Sequence, residues 1–157
     1  MELNEKIADF TLQTDEDKAV SLSNYAGKPV VLFFYPRADT PGCTIEACGF
    51  RDAFTRLQKA GAVVMGISRD TPRAQAKFKT RYNLPYTLLC DVDEQVCNRF
   101  GVLKEKNMYG KKVWGIERTT FVIGPDRTLL HVFPKVTPEG HAEQVLALLE
   151  EWKKKHK

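Results

Sequence analysis

The chain has 157 residues, and its composition of 43% hydrophobic, 28% charged and 10% aromatic residues is close to that of an average globular protein. This composition excludes wholesale disorder, a collagen-like repeat and a coiled coil. The longest apolar run, residues 30–35, is far shorter than the about 20 residues that a membrane-spanning helix needs. The first residues also lack the basic start and apolar stretch of a secretory signal. We therefore expect a cytoplasmic protein with no membrane partner.

The formal net charge is +4, but the excess of basic residues lies at the end of the chain. The last five residues contain four lysines, Lys153, Lys154, Lys155 and Lys157. Without them, 20 basic residues face 20 acidic ones. A nucleic-acid-binding protein usually spreads its positive charge over a face or a helix of the fold instead. We therefore expect no nucleic-acid partner.

Continuous apolar runs separated by helical patterns predict an α/β fold. The runs over residues 30–35, 62–68 and 86–90 are typical of buried strands. Apolar residues recur at helical spacing between the first two runs, and again close to the C-terminus. Strands that alternate with helices in this way indicate a sheet covered by helices.

Two pairs of apolar runs predict hairpins. The runs 119–123 and 129–133 flank a Gly-Pro-Asp-Arg sequence that favours a turn. A smaller hairpin is predicted over residues 10–22, around a polar Asp-Glu-Asp turn. Because no linker or repeat divides the sequence, we expect one domain over residues 1–157, built on a mixed central sheet flanked by helices, with an N-terminal β-hairpin.

A threonine followed by a proline occurs at 40–41, 71–72 and 137–138, each time ahead of a helical pattern. Threonine is a good N-cap residue, and proline suits the first helical position because its missing N–H would have no partner there. These pairs predict three helix starts. Gly61 and Gly101 fall just after helical stretches, where a C-terminal glycine is expected.

The first of these helix starts places a cysteine at a reactive position. With Thr40 as N-cap and Pro41 first in the helix, Gly42 and Cys43 complete the first turn. A thiol there lies near free backbone N–H groups and the positive end of the helix dipole, and both favour the thiolate. Gly42 leaves the approach to the sulfur open. Although most intracellular cysteines are small buried apolar residues, this context favours a reactive one.

Cys48 follows Cys43 at a spacing that excludes a static disulfide. Five residues along a helix separate the two Cα atoms by about 8 to 9 Å, and a disulfide needs them within about 7 Å. The two thiols can therefore join only if the first turns of the helix unwind. This spacing favours a redox couple that closes after the first thiol is oxidised.

Three separated elements resemble the peroxiredoxin family. Pro36, Thr40 and Cys43 match its active-site pattern of proline, three residues, threonine, two residues and cysteine. The position of Cys48 resembles the bacterioferritin comigratory protein branch, also called peroxiredoxin Q. Arg118, in the sequence Arg-Thr-Thr-Phe, matches the second active-site signature of the family. The resemblance covers nearly the whole chain and implies a thioredoxin-like fold and a thiol peroxidase.

The resemblance also implies a role for each matching residue. Cys43 would be the peroxidatic thiolate that attacks the peroxide O–O bond, and Cys48 would resolve the resulting sulfenic acid to a disulfide. Thr40 and the nearby backbone N–H groups would hold the peroxide oxygens. Arg118 would stabilise the thiolate and the developing charge. Pro36 would shield the site, although it could simply end the preceding strand.

The implied substrates and partners follow from the same family. Hydrogen peroxide and alkyl hydroperoxides would bind in a pocket formed by Pro36, Gly42 and Thr44, and thioredoxin or a glutaredoxin would regenerate the thiols. No cofactor is required. Because the resolving cysteine lies in the same chain, we expect a monomer.

Two further charged residues, Glu46 and Arg51, lie on the same predicted helix as the cysteines. They could pair with Arg118 or with each other behind the site. They could equally be ordinary charges on a helix surface.

The other two cysteines have structural explanations. Cys90 ends an apolar run and is expected in the core, and Cys97 falls on a short predicted helix, although it remains an alternative resolving residue. A zinc site formed by all four cysteines is disfavoured, because the gaps of 4 and 6 residues within the pairs do not both match the usual spacing of about two to four residues. A thiol–disulfide oxidoreductase would be expected to carry Cys-x-x-Cys, which the sequence lacks.

Overall fold

The computed structural model describes residues 1–156, so Lys157, the end of the predicted domain and of its lysine tail, lies outside the described residues. The strands are β1 (Thr11–Thr14), β2 (Ala19–Ser21), β3 (Val30–Phe34), β4 (Val63–Ser68), β5 (Thr87–Cys90), β6 (Leu103–Met108), β7 (Lys111–Ile116), β8 (Thr119–Ile123) and β9 (Leu129–Phe133). The α-helices are α1 (Pro41–Lys59), α2 (Pro72–Tyr82), α3 (Gln95–Arg99) and α4 (His141–Lys155). A search of the described residues finds no helix with the length and apolar character needed to span a membrane.

Seven strands form one mixed sheet in the order β2-β1-β5-β4-β3-β8-β9. The three central strands β5, β4 and β3 are parallel, and α1 and α2 connect them. On either side the sheet becomes antiparallel, through β1 against β5 and β8 against β3. Both predicted hairpins, β1–β2 and β8–β9, are present. The expected mixed central sheet flanked by helices is confirmed.

The sheet separates two hydrophobic cores. Alternate residues of a strand point to opposite faces, so Val31 and Phe33 of β3 enter one core, while Leu32 and Phe34 enter the other. Helices α1, α2 and α4 cover the first face, where Phe33 stacks on Phe50 with ring centroids 4.5 Å apart. The second face is covered by α3 and the N-terminal segment. We call these the helical face and the opposite face.

Two of the three threonine–proline pairs begin helices as predicted. Thr40 has an extended backbone and Pro41 is the first residue of α1. Thr71 precedes α2, and its hydroxyl accepts a hydrogen bond from the Ala74 N–H at 3.2 Å. Gly61 follows the end of α1 with a φ of 87°, which a glycine adopts without strain. The local helix signals are therefore reliable at these positions.

The third pair does not begin a helix, and that prediction is wrong. Helix α4 begins three residues after Pro138, at His141, with Gly140 as its N-cap. The backbone first makes a turn, in which the His141 N–H donates to the Pro138 carbonyl at 3.5 Å. Gly140 has a φ of 76°, and this left-handed residue sets a different entry into the helix from that of a threonine cap.

The hairpin of β6 and β7 lies outside the main sheet and was not predicted. Its two strands pair along six residues each, and the connecting residues Tyr109 and Gly110 both have positive φ, as two-residue hairpin turns require. The two strands carry several lysines instead of a continuous apolar run. The pattern of a buried strand is therefore missing from the sequence.

Candidate active site

Cys43 lies in the first turn of α1, directly after the loop that leaves the central strand β3, and only 1% of it is exposed. Phe34, the last residue of β3, is paired with Thr119 of β8 in antiparallel register. Arg118 immediately precedes Thr119, so this pairing places its side chain beside the start of α1. Two segments that are distant in sequence thus form the site at one end of the sheet.

The guanidinium of Arg118 bridges Cys43 and Glu46. Its Nη1 lies 3.4 Å from the Cys43 Sγ and 2.9 Å from the Glu46 Oε1. Burial opposes the positive charge, but the neighbouring sulfur and carboxylate more than offset it, so the pKa of Arg118 is raised. The guanidinium therefore keeps a permanent charge at hydrogen-bond distance from the sulfur.

Gly42 provides the space that Arg118 occupies. A Cβ on this residue would lie 3.0 Å from the Arg118 Nη2 and 3.6 Å from Pro138 Cγ. The backbone around Arg118 is also fixed, because its carbonyl accepts a hydrogen bond from the Val136 N–H at 2.9 Å. A larger residue at position 42 would therefore crowd the guanidinium that contacts the sulfur.

The loop before Cys43 is held by hydrogen bonds from within and from outside. The Thr40 hydroxyl donates to the Arg37 carbonyl at 2.8 Å and does not cap α1. The Ala38 N–H donates to Asp70 Oδ2 at 2.7 Å. Asp39 has a φ of 60°, and its carboxylate accepts hydrogen bonds from the last turn of α2. Thr40 is therefore presented by a rigid loop.

Glu46 is buried with Arg118 as its ionic partner. Its side chain has no exposed surface, and burial raises its pKa from 4.5 to about 7, although Arg118 acts in the opposite direction. Among the described residues, its second oxygen, Oε2, has no hydrogen-bond partner. Of the two interpretations of Glu46, the structure supports a buried ion pair with Arg118 and not a charge on the helix surface.

Arg51 lies away from this pair. Its Nη1 donates to the Tyr82 carbonyl at 2.8 Å and its Nε to Asp52 Oδ1 at 3.0 Å. It therefore pairs with neither of the partners considered for it, Arg118 and Glu46. The structure places Arg51 on the side of α1 that faces the end of α2.

The four cysteines are all free thiols, and they do not converge. Cys48 is half-buried on α1, and Cys43 belongs to the core of the helical face. Cys97 is completely buried in the core of the opposite face. Burial raises the pKa of Cys90 to about 12 and also raises that of Cys97. In residues 1–156, no group of three His, Cys, Asp or Glu side chains is placed to hold a metal ion.

Several residues that support the site were not identified from the sequence. Asp70 and the last turn of α2 hold the loop, and the Tyr86 hydroxyl donates to the Ala47 carbonyl of α1 at 2.5 Å. None of these residues belongs to a local motif. Their contacts span 32 to 43 positions in the chain, so only the folded structure brings them to the site.

Comparison with known proteins identifies the family of the chain. A family model described as AhpC/TSA family matches residues 3–132. A Bcp peroxiredoxin from Coxiella burnetii is 52% identical over 149 residues, which cover 95% of this chain and 99% of the relative. The structure of a Xylella fastidiosa PrxQ cysteine variant superposes with a TM-score of 0.92 at 33% identity, covering 96% of each chain. A structure of Xanthomonas campestris bacterioferritin comigratory protein, from work on its alkyl peroxide reduction, has a TM-score of 0.87 at 38% identity and 92% coverage of each chain.

The chain belongs to the AhpC/TSA family, and its fold is thioredoxin-like. Within that family it is a peroxiredoxin of the Bcp or PrxQ type, a thiol peroxidase.

Proposed function

We propose that Cys43 is the peroxidatic cysteine of this peroxidase, and that its substrates are hydrogen peroxide and alkyl hydroperoxides. The observation that carries this assignment is the 3.4 Å contact between the Arg118 guanidinium and the Cys43 sulfur in the first turn of α1. The thiolate attacks one peroxide oxygen, the O–O bond breaks, and the sulfur becomes a sulfenic acid. The other oxygen leaves as hydroxide or alkoxide and takes up a proton.

The groups around Cys43 suit this displacement. The charge that develops on the leaving oxygen is stabilised by hydrogen-bond donors already in place. Arg118 offers a fixed fork of donors, and the first turn of a helix leaves its N–H groups without an intrahelical acceptor. Thr40 would bind the peroxide through its hydroxyl, while Pro36, Gly42 and Thr44 would form the pocket.

We assign the resolving role to Cys48. Cys43 and Cys97 lie in cores on opposite faces of the sheet, which supports Cys48 over Cys97 as the partner. The helix is continuous from Pro41 to Lys59, so the disulfide requires its first turns to unwind. The Cys43–Cys48 disulfide would then be reduced by thioredoxin or a glutaredoxin through thiol–disulfide exchange.

The remaining assignments complete the proposal. We place the peroxidase in the cytoplasm, with residues 1–157 in one domain. We assign it as a monomer, because both cysteines of the cycle come from the same chain. It needs no cofactor, since the sulfur of Cys43 carries the redox chemistry.

The test is peroxide consumption coupled to thioredoxin and its reductase, run on the four single Cys→Ser variants. We expect Cys43→Ser to abolish turnover, and Cys48→Ser to form the sulfenic acid once without sustained turnover. Cys90→Ser and Cys97→Ser serve as matched controls and retain turnover. Full activity of Cys43→Ser would reject the mechanism. A Cys43–Cys97 disulfide in peptide maps of the oxidised protein would move the resolving role to Cys97.

A further inference from the structure

Arg51 lies beside the cysteine that the proposed mechanism leaves without a cation. It follows Cys48 by three residues on α1, and residues at this spacing are neighbours on one helix face. Burial raises the pKa of the Cys48 thiol, whereas Arg51 acts to lower it and Asp52 to raise it. The Tyr86 hydroxyl, from the segment before β5, donates to the carbonyl of Ala47, the residue before Cys48, at 2.5 Å. Arg51 is therefore the charge that favours the Cys48 thiolate.

The position of Arg51 is set by a second helix. Its Nη1 donates to the carbonyl of Tyr82, the last residue of α2, at 2.8 Å, and Asp52 accepts from its Nε. Only 34% of the side chain is exposed. The last carbonyls of a helix have no intrahelical donor and carry its negative dipole end. This contact alone would make Arg51 a cap for α2, so the test must separate capping from an effect on Cys48.

The same turn of α2 also holds the other end of the redox segment. The Tyr82 hydroxyl donates to Asp39 Oδ1 at 2.9 Å, and Arg81 Nη1 donates to Asp39 Oδ2 at 2.7 Å. Asp39 precedes Cys43, and Arg51 follows Cys48. Both ends of the segment that must unwind are thus attached to one turn of α2, and Arg51 lies at the anchored end nearest Cys48.

We propose that Arg51 is a positioning residue for the resolving step, which favours formation of the Cys48 thiolate at the anchored end of the unwinding segment. This inference rests on the proposed resolving role of Cys48. In the step, the Cys48 thiolate attacks the sulfur of the Cys43 sulfenic acid, the S–S bond forms and the S–O bond breaks. Hydroxide leaves and takes up a proton to give water. The Cys48 sulfur is oxidised and the Cys43 sulfur is reduced.

The first test measures the Cys48 thiolate directly, in a Cys43→Ser background that has no peroxidase chemistry. The rate of Cys48 alkylation by iodoacetamide is followed against pH by peptide mass spectrometry. We expect Arg51→Met to shift the profile to higher pH and to slow alkylation at neutral pH about three- to tenfold. Arg51→Lys, which retains a charge, should fall between Arg51→Met and the parent. Arg56→Met is the matched control on the same helix, and its profile should equal that of the parent.

The second test measures resolution in the wild-type cysteine background. After one equivalent of peroxide, we expect Arg51→Met to consume peroxide at the parental rate but to form the disulfide about three- to tenfold more slowly at neutral pH. At high pH, where Cys48 is ionised in both proteins, the rates should converge. Loss of the α2 cap alone would lower stability without changing either pH profile. Unshifted profiles for both Arg51→Met and Arg51→Lys would overturn the inference.

The two proposals fail in different ways. If Cys48 does not resolve Cys43, the Cys48→Ser variant still forms an intramolecular disulfide, whatever Arg51 does. If Arg51 does not act on Cys48, the disulfide still depends on Cys48, and the alkylation profile is the same with and without Arg51.

Discussion

At the scale of single residues, Glu46 has the most unusual environment in the site. Transfer of a carboxylate into the interior costs several kcal/mol, and an ion pair offsets this cost only in part. The raised pKa of about 7 means that burial outweighs the attraction of Arg118. Its second oxygen adds to the cost, because it has no partner among the described residues. Glu46 therefore holds Arg118 in place at the expense of stability.

This cost predicts a pH dependence of folding. Between its ordinary pKa of 4.5 and about 7, Glu46 binds its proton more tightly in the folded than in the unfolded chain. Stability from this residue is therefore present at low pH and lost as the pH rises through that window. As the pH rises through this window, we expect the free energy of unfolding of Glu46→Gln to decrease by about 1–3 kcal/mol less than that of the wild type.

Urea titrations at about pH 5 and about pH 8 measure the difference. Glu143→Gln, which removes an exposed carboxylate paired with Arg56, is the control and should keep the wild-type fall. Identical pH profiles for wild type and Glu46→Gln would contradict the prediction.

Gly42→Ala should impair the chemistry more than the fold. The new Cβ would lie 3.0 Å from the Arg118 Nη2, so the guanidinium that contacts the Cys43 sulfur would have to shift by a few tenths of an ångström. We expect the rate of Cys43 oxidation by peroxide to fall about tenfold or more. Gly49→Ala is the control on the same helix, since its Cβ would lie 3.7 Å from the Ala142 Cβ, an ordinary contact. Equal oxidation rates in the two variants would show that Arg118 tolerates the crowding.

At this scale the sequence predicts the positions of the reactive groups but not their surroundings. The spacing of Thr40, Cys43 and Cys48 and the motif around Arg118 can be found without a structure. Glu46 lies three residues after Cys43, which predicts that both share a helix face. The family resemblance implies that Arg118 acts at Cys43, but the choice between an Arg118 pair and a surface charge for Glu46 needs the folded structure, because their contact joins positions 72 residues apart.

At the scale of elements, the proposed mechanism requires α1 both to hold Cys43 in place and to release it. Its first turns are pinned by the Arg118–Glu46 ion pair and by the Tyr86 hydroxyl on the Ala47 carbonyl. The proposed disulfide requires these contacts to break. The stability of this short stretch of helix therefore sets how often Cys43 can reach Cys48.

One substitution within this stretch of helix and one in a residue packed against it should change the rate of disulfide formation in opposite directions. Gly49→Ala stabilises a helix interior by about 0.5–1 kcal/mol, so we expect slower disulfide formation and more overoxidised Cys43 at high peroxide. Tyr86→Phe removes the hydrogen bond to Ala47, worth about 1 kcal/mol, and should accelerate disulfide formation. Rapid quenching followed by peptide mapping measures both rates. Unchanged rates in both variants would mean that unwinding does not limit resolution.

The elements themselves differ in how well the sequence predicts them. The strands β3, β4, β5, β8 and β9 are continuous apolar runs, and Thr40 and Thr71 lie directly before helices. The sequence does not distinguish the threonine–proline pair at 137–138, because the turn that delays α4 depends on Gly140. The hairpin of β6 and β7 was missed because its strands are largely polar.

At the scale of the whole molecule, the sheet separates Cys97 from the two cysteines of the proposed cycle. Cys43 and Cys48 lie on α1 over the helical face, while Cys97 is enclosed on the opposite face with Asp91 accepting from its N–H at 2.6 Å. The strands between them are fully buried. The sheet therefore supplies both the rigid base of the site and the barrier that isolates the Cys97 thiol from it.

The integrity of that barrier depends on close packing at Gly66 in β4. A Cβ there would lie 2.8 Å from Phe33 Cζ and 2.9 Å from Tyr35 Cε1. We expect Gly66→Ala to lower the free energy of unfolding by about 1–3 kcal/mol, through overpacking of the core. Gly115→Ala is the comparison, because its Cβ would meet only the flexible Lys106 side chain. Denaturant unfolding measures both, and equal stabilities would show that the aromatic core can yield.

The pairing of β3 with β8 also governs when the chain acquires its reactivity. Arg118 comes 75 residues after Cys43 and reaches it only through that pairing. During synthesis the cysteine emerges long before its arginine, and its helix cannot yet rest on a finished sheet. The thiol is therefore paired with its cation only when the fold is nearly complete, and an unfinished chain lacks the arrangement around Cys43 that the folded protein has.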